Sequence, residues 1–125
     1  MREGVVKVLD DENIEFVDIL RRLGMQRNVA KVITYLTVAG ESNSREIERG
    51  TGMRQPEVSI AMRTLRRENW VREWEVKSGG NGRPSKVYAL STPLDEIIGS
   101  IEDEKQKKSA EAMESIQKLK DLASS

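Results

Sequence analysis

The stretch GMRQPEVSIAMRTLRRENW, residues 52–70, decides the fold. Its apolar residues Val58, Met62 and Leu65 recur at helical spacing, which predicts a helix over about 55–68 with one buried side. The other side is a mixture of polar, cationic and apolar residues, namely Gln55, Glu57, Ser59, Ile60, Arg63 and Arg67. This mixture is too polar for a protein core and too varied for a face that meets only water. We therefore expect the exposed side of this helix to contact a partner.

The residues before this stretch predict three further helices. Apolar residues at helical spacing place the first over about 14–23 and the second between Asn28, which can cap it, and Gly40, which closes it. Asn43, followed three residues later by Glu46, predicts a capping box at the start of the third. A glycine turn then leads directly into the quoted stretch.

After residue 70 the pattern changes from helix to strand. Residues 71–77 (VREWEVK) and 86–90 (KVYAL) are rich in β-branched and aromatic residues, which favour strands. The segment SGGNGRPS between them, residues 78–85, is typical of a loop. Short helices, a tight glycine turn and a hairpin over about 71–90 together predict a winged helix-turn-helix. The expected fold class is mainly α with a small β-hairpin wing.

A long helix is predicted after the hairpin. Thr92 can cap this helix and Pro93 can occupy its first position. From residue 93 to about 122 it would be roughly 45 Å long, more than a small domain needs for its own packing. We expect residues 1–92 to form the winged helix-turn-helix domain and residues 93–125 to form a dimerisation helix.

Two groups of apolar residues on the long helix need a partner surface. They are Leu94, Ile98 and Ile101 in its first part and Ala112, Ile116 and Leu119 in its second part. The first group could pack on its own domain, whereas the second group lies too far along the helix to do so. We expect both groups to form the interface of a symmetric homodimer. The two recognition helices, at about 55–68 in each protomer, would then meet successive major grooves about 34 Å apart.

The composition excludes several classes of protein. The 125 residues include no cysteine and no histidine, so disulfides, thiolate metal sites and the usual general base are excluded. No apolar run is long enough to span a membrane, and the acidic N-terminal region is unlike a signal peptide. We expect no metal, no cofactor, no enzymatic activity and no membrane partner. The expected location is cytoplasmic and nucleoid-associated.

Positive charge is concentrated in one part of the chain, although the formal net charge is zero. Residues 54–92 hold eight basic and four acidic side chains, a net charge of +4. Residues 93–125 hold five basic and eight acidic side chains, a net charge of −3. A local positive face can approach a polyanion even when the whole molecule is neutral.

These patterns predict contacts with double-stranded DNA. A helix of about 12 residues fits the major groove, where Gln55 can pair with adenine and Arg63 with guanine. Ser59 can bind a phosphate or a base. Ile60 can meet a thymine methyl, although an outward isoleucine is more often a packing residue.

Further cations extend the predicted DNA contact beyond the base-reading residues. Arg54 lies at the helix N-terminus, which favours a phosphate, and Arg67 lies near the other end. Arg83, stiffened by the following proline, can enter a minor groove from the loop. Lys77 and Lys86 flank this loop and would lie near phosphates, with a salt-sensitive effect that is independent of base sequence.

The stretch LRRLGMQRNVAKVITYLTVAGESNSREIERGTGMRQPEVSIAMRTLRRENWV, residues 20–71, resembles the DNA-binding module of TrmB-like and MarR-like winged-helix regulators. The matching motifs are REI (45–47), the TGM turn (51–53), QPEVS (55–59) and GRPSKVYAL (82–90). The resemblance covers about residues 20–91. It implies a winged-helix fold, dimerisation, wing contact by Arg83 and DNA contacts by Gln55, Pro56, Glu57, Ser59, Ile60 and Arg63.

The chain departs from this family pattern at three places. Arg54 stands where such modules often have a capping Ser or Thr, and Ile60 stands where a basic or polar residue is usual. Residues 69–70, Asn–Trp, replace a Gly–Leu pair. TrmB-like proteins carry an effector-binding domain after the module, but only a helix is predicted here. Sugar sensing is therefore not expected, and the sequence indicates no particular small-molecule effector.

The function predicted from these features is a dimeric, sequence-specific DNA-binding transcriptional regulator that acts as a repressor. One alternative is a weakly specific architectural DNA-binding protein, which the neutral net charge disfavours. Another is a winged helix used as a protein-interaction module in transcription or chromosome machinery. In that module Ile60 and Glu57 would belong to a protein interface.

Overall fold

The computed structural model describes residues 9–77 and 84–125. The helices are α1 (Asp11–Arg22), α2 (Arg27–Ala39), α3 (Ser44–Thr51), α4 (Gln55–Arg67) and α5 (Leu94–Ala123). The strands are β1 (Ser42–Asn43), β2 (Val71–Lys77) and β3 (Pro84–Leu90). The predicted winged helix-turn-helix with a long C-terminal helix is confirmed. The chain divides into two units, the first ending at Thr92 and the second comprising Pro93–Ser125.

The starts of α1 and α2 differ from the sequence prediction. A reciprocal capping box begins α1 at Asp11, because the Asp10 carboxylate accepts the Asn13 N–H at 2.9 Å and the Asn13 amide oxygen accepts the Asp10 N–H at 3.0 Å. Helix α2 begins one residue before Asn28, with Gln26 at the N-cap. The prediction that Asn28 caps this helix is therefore wrong, because that residue already lies in its first turn.

Helix α3 and the turn after it follow the prediction closely. The Asn43 side chain accepts the Glu46 N–H at 2.9 Å, and the Glu46 carboxylate accepts the Asn43 N–H at 2.9 Å. Gly52 ends the helix in the left-handed region at φ 74°. The Thr51 hydroxyl accepts the Met53 N–H at 3.2 Å and donates to the Ile47 carbonyl. These hydrogen bonds fix the turn that leads into α4.

The small sheet has three antiparallel strands in the order β1-β3-β2, not the two predicted. In β1, Ser42 pairs with Tyr88 of β3 and Asn43 pairs with Val87. A two-residue strand is too short to show alternation in a sequence, which is why it was missed. The β2–β3 hairpin runs from the Val71–Leu90 pair to the Lys77–Pro84 pair.

The core of the first unit lies between α2, α3, α4 and the sheet. The predicted apolar side of α4 is confirmed, since Val58, Met62 and Leu65 are all buried. They share the core with Ala30, Val32, Ile33, Tyr35, Ile47 and Tyr88. Burial of one complete aliphatic or aromatic side chain contributes about 1.5–3 kcal/mol, so this packing holds α4 with its other side toward solvent.

The start of α5 also departs from the sequence prediction. Pro93 is the N-cap instead of the first helical residue, and no side chain caps the helix. The Thr92 hydroxyl donates to the carbonyl of Asn69 at 3.1 Å. The prediction that Thr92 caps α5 is therefore wrong, because its hydroxyl bonds Asn69, which lies two residues after the end of α4 and has a positive φ. No helix in the described part of the chain is both long and apolar enough to cross a membrane.

Candidate nucleic-acid interface

The exposed side of α4 presents a continuous row of polar side chains. Four exposed residues follow one another along α4 at four-residue spacing, namely Gln55, Ser59, Arg63 and Arg67. Residues at this spacing lie one above another on a helix surface. Ile60 lies beside this row with 57% of its surface exposed. The structure thus brings the predicted base-contacting residues of α4 onto one accessible face.

The start of α4 is fixed by one of the residues predicted to contact DNA. The Glu57 carboxylate accepts the Arg54 N–H at 2.8 Å, so Glu57 satisfies a backbone donor at the first turn. Pro56 is exposed in the same turn, where its missing N–H leaves no partner unsatisfied. The Arg54 side chain makes no capping hydrogen bond to the helix. Glu57 therefore has a structural contact of its own, while the Arg54 guanidinium is exposed.

Arg63 lies near the middle of the exposed row. Within residues 9–77 and 84–125 its guanidinium makes no ion pair and no hydrogen bond. Arg67, one turn further on, makes a long hydrogen bond of 3.5 Å to the Thr64 hydroxyl. Both cations are consequently available to a ligand at little cost in lost protein contacts.

The last turn of α4 is tied to the hairpin by an ion-pair network. Arg66 pairs with one carboxylate oxygen of Glu73 on β2, and Lys86 on β3 pairs with the other at 3.3 Å. Partial burial acts to raise the pKa of Glu73, but the hydrogen bonds and charges of Arg66 and Lys86 outweigh it and lower the pKa overall. The positioning role of Arg66 and Glu73 has no periodic signal in the sequence, because their seven-residue separation crosses a turn.

The predicted wing contacts have different outcomes. Lys77 is exposed at the end of β2, opposite Pro84. Lys86 was predicted to contact phosphate, and the structure gives it the Glu73 carboxylate as a partner. Arg83 lies outside the described residues, so its predicted groove contact stays a prediction.

The wing strand β2 also carries a cation–π contact on its other face. The Arg72 guanidinium carbon lies 4.6 Å from the centre of the Trp74 ring. The half-buried Trp74 is thus covered by a cation of its own strand.

The predicted dimer residues on α5 fall into two classes of exposure. Leu94 and Ile101 are half-buried, Ile98 is 45% exposed, and Ile97, which the sequence analysis left out, is buried. Every residue from 102 to 125 is exposed, and the apolar ones among them include Ala112, Met113, Ile116, Leu119 and Leu122. The described residues contain no group of three or more acidic side chains that could hold a metal ion.

Comparison with known proteins identifies the fold. No family model and no curated protein matches this sequence. Among solved structures, transcriptional regulator PA4135 aligns with 88% of this chain and 88% of its own at 20% identity, with a TM-score of 0.54. A second transcriptional regulator aligns with 81% of this chain and 68% of its own at 17% identity and the same TM-score. At these identities the likeness shows a shared fold over most of the chain.

Proposed function

We propose that this protein is a dimeric, sequence-specific DNA-binding transcriptional regulator. The observation that carries the proposal is the exposed row Gln55, Ser59, Arg63 and Arg67 on α4, the second helix of the helix-turn-helix. In this fold the second helix enters the major groove of DNA. The two solved structures described above, which align at a TM-score of 0.54, are transcriptional regulators, and this agrees with the proposal.

The residues of α4 have separate proposed roles. Arg63 donates two hydrogen bonds to guanine and Gln55 pairs with adenine, so these two give sequence preference. Ser59, Arg67 and Arg54 bind phosphates, which contributes affinity for any sequence. Bound at a promoter, the dimer would exclude other proteins from the same DNA, and repression is the proposed outcome.

The glutamates near this face limit its positive charge and contribute to selectivity. Glu57 accepts the Arg54 N–H with one carboxylate oxygen, and Glu73 pairs with Arg66 and Lys86, so each glutamate offsets part of the positive charge near α4. A modest positive field of this kind gives weak nonspecific binding, because nonspecific affinity depends on the number of phosphates neutralised. Base contacts by α4 therefore account for a larger share of the affinity.

The test is fluorescence anisotropy of the full chain with a library of labelled genomic duplexes at several salt concentrations. We expect steep weakening with salt and a preference among sequences. Arg63→Ala should lose about tenfold or more for the preferred duplex and little for other duplexes, because one bidentate base contact is worth about 1–3 kcal/mol. Lys107→Ala, which removes the same charge from α5, is the matched control. Absence of binding at low salt would overturn the proposal.

One observation favours a second candidate, a winged helix that binds another protein. Ile60 is 57% exposed in the middle of α4, where an apolar side chain gains more from a protein surface than from a phosphate backbone. The double variant Arg63→Ala with Arg83→Ala separates the two candidates. A DNA-binding regulator should lose its duplex, whereas an interaction module should keep a partner that Ile60→Ala releases.

A further inference from the structure

The outer edge of strand β2 is a surface that is open to a partner strand. In the sheet order β1-β3-β2 this strand pairs with β3 on one side, and no other strand in the described part of the chain lies beside it. Its seven residues pair one to one with β3, from Val71–Leu90 to Lys77–Pro84, without a bulge. A strand edge of this length exposes a row of unpaired backbone groups.

The register decides which backbone groups of β2 face outward. The Ser91 N–H donates to the Trp70 carbonyl at 2.8 Å, which places the hydrogen-bonded pairs of the hairpin at the even-numbered residues of β2. The N–H and C=O groups of Glu73, Glu75 and Lys77 therefore point away from β3. Among the described residues no hydrogen bond uses these backbone groups.

The two edges of the sheet differ in how they are protected. The other edge belongs to β1, which has only two residues and so offers little to pair with. Proteins commonly protect a longer edge with a proline, a bulge or charged side chains. Strand β2 contains no proline and no bulge, and every residue from Glu75 to Lys77 is exposed. Charge is the protection that remains, and it discriminates among partner strands, because opposite charges across two strands stabilise the pair and like charges destabilise it.

Both faces of β2 have side chains that an added strand would contact. On the outer face, Trp74 is half-buried beneath Arg72, and Val76 keeps 45% of its surface exposed. Trp74 and Val76 lie at the non-hydrogen-bonded positions of the open edge, where the side chains of two strands come closest. On the opposite face, Glu75 is exposed and forms no ion pair in the part of the chain that the structure describes. A matching strand has apolar residues opposite Trp74 and Val76 and a cation opposite Glu75.

A second copy of β2 does not match this edge. Antiparallel pairing through the outward-facing groups places odd-numbered residues opposite odd-numbered residues. Every such register that pairs at least five residues of β2 with its copy sets two glutamates opposite each other, either Glu73 opposite Glu75 or one of them opposite itself. Like charges in directly opposite positions destabilise a strand pair. The edge is therefore suited to a strand of different sequence.

We propose that the open edge of β2 binds an extended segment of another protein, which adds an antiparallel fourth strand to the sheet. The segment alternates apolar residues, which pack on Trp74 and Val76, with basic residues, one of which pairs with Glu75. Backbone hydrogen bonds give a strand addition of this kind its affinity, and the alternate side chains give it specificity. The edge contains no residue of α4, so binding of the segment does not require that α4 bind DNA.

The test is fluorescence anisotropy of the fluorescein-labelled peptide Thr-Val-Lys-Val-Lys-Val-Thr, titrated with the full chain. Its valines can face Trp74 and Val76 while a lysine faces Glu75. We expect a dissociation constant below about 1 mM. The tryptophan fluorescence of the chain should change over the same range of peptide concentration, because Trp74 lies at the edge. No binding at millimolar concentration would overturn the proposal.

Two methylated forms of the peptide test the strand addition itself. In the antiparallel arrangement the lysine N–H groups donate to β2 and the valine N–H groups point away from it. N-methylation of both lysines should therefore weaken binding at least about tenfold, and N-methylation of two valines should leave it within about threefold. Equal losses would mean that the peptide is held by its charge alone and would overturn the added strand.

A charge exchange tests the location. Glu75→Lys replaces an attraction with a repulsion and should weaken binding of the lysine peptide about fivefold or more. The same variant should bind a peptide with glutamates in place of the lysines more tightly than the wild type does. Glu15→Lys makes the same change of charge at an exposed position of α1 and is the matched control. Equal losses in the two variants would mean attraction by the net charge of the chain and would overturn the site.

A pair of valines tests the apolar contact. Val76 and Val38 are exposed to similar extents, 45% and 39%, and Val38 belongs to α2. Val76→Thr keeps a β-branched residue in the strand and should weaken the peptide about threefold, whereas Val38→Thr should have no effect. Sedimentation of the wild type and Glu75→Lys covers the remaining occupant. A change of oligomeric state in that variant, without peptide binding to the wild type, would assign the edge to a second copy and overturn the proposed partner.

Discussion

Helices α4 and α5 expose surfaces of opposite character. Helix α4 has 13 residues, of which Val58, Ala61, Met62 and Leu65 are buried, and its exposed side is mostly polar and cationic. Helix α5 has 30 residues with one buried, and its second half exposes apolar side chains. The apolar side of α4 is buried, and its polar side meets the solvent. On α5, by contrast, apolar side chains meet the solvent, and this exposure is unfavourable.

This difference indicates two kinds of partner. The second half of α5 has the spacing of a coiled-coil seam, in which steps of four and three residues alternate. The residues of this seam are Ala112, Ile116, Leu119 and Ala123. Leu119 and Leu122 expose about two-thirds of their surface, 67% and 66%. A second copy of the same helix would cover this seam with matching spacing, whereas the arginines of α4 repel a second copy. Salt should therefore weaken the α4 contact and leave the α5 contact nearly unchanged.

The largest expected effect comes from breaking the α5 seam. The variant Ile116→Asp with Leu119→Asp should convert the proposed dimer to a monomer. DNA binding should then weaken at least about a hundredfold, because two DNA-binding domains that are no longer linked do not raise each other's effective concentration at the neighbouring half-site. Truncation after Ser100 should act in the same way. Sedimentation and anisotropy measure both effects.

Lys118→Asp is the control for this change, because residue 118 lies on the opposite side of α5 from Ile116 and Leu119. It should keep the dimer. A dimer that survives in the double variant would mean that the seam is covered by something other than a second copy.

The helix-turn-helix could be predicted from the sequence because each part has a local signal. The spacing of Val58, Met62 and Leu65, the capping box of Asn43 and the turn at Gly52 each depend on residues within one or two helical turns. The strands are predicted from their composition over several residues, and this criterion cannot identify a strand of two residues such as β1. Because the buried side of α4 could be predicted, the residues on its exposed side could be predicted as well.

The features that the sequence did not reveal all join distant residues. The network of Arg66, Glu73 and Lys86 connects a helix with two strands, and its members are separated by a turn and a loop. The pocket among α1, α2 and the α3–α4 turn likewise gathers single cations, such as Arg21 and Arg49, from three helices. Each cation alone resembles an ordinary surface residue in the sequence. Only the packing of the helices brings these charges together, and no spacing rule expresses that packing.

A smaller effect is expected from the substitution of two glycines, one in the turn before α4 and one inside α5. Gly52 has φ 74° and Gly99 has helical backbone, and an added Cβ at either would meet no atom within 4 Å. Gly52→Ala should reduce the free energy of unfolding by about 1–2 kcal/mol, because alanine is strained in the left-handed region. Gly99→Ala should increase it by up to about 1 kcal/mol, because alanine favours the helix. Urea denaturation at equal protein concentration measures both changes. If both substitutions change the free energy of unfolding in the same direction, the backbone conformation of the two glycines does not explain the effects.

The smallest expected effect comes from the network that joins α4 to the hairpin. Glu73→Gln should reduce the free energy of unfolding by at most about 1 kcal/mol at pH 7, because the pairs are partly exposed and screened by solvent. The pKa of Glu73 is lower in the folded chain than its ordinary value of 4.5. Its contribution is therefore fully present above pH 4.5 and is lost as the pH falls through the lower folded pKa.

Urea denaturation of the wild type and Glu73→Gln at several pH values tests this dependence. The difference between the two proteins should be constant above pH 4.5 and should shrink below it. Glu75→Gln, two residues along the same strand and without an ion pair in the described part of the chain, should show no such difference. If Glu73→Gln behaves like this control, packing alone holds the hairpin on α4. Lys86 would then lose no stabilising interaction on leaving Glu73 for a phosphate, the contact predicted from the sequence.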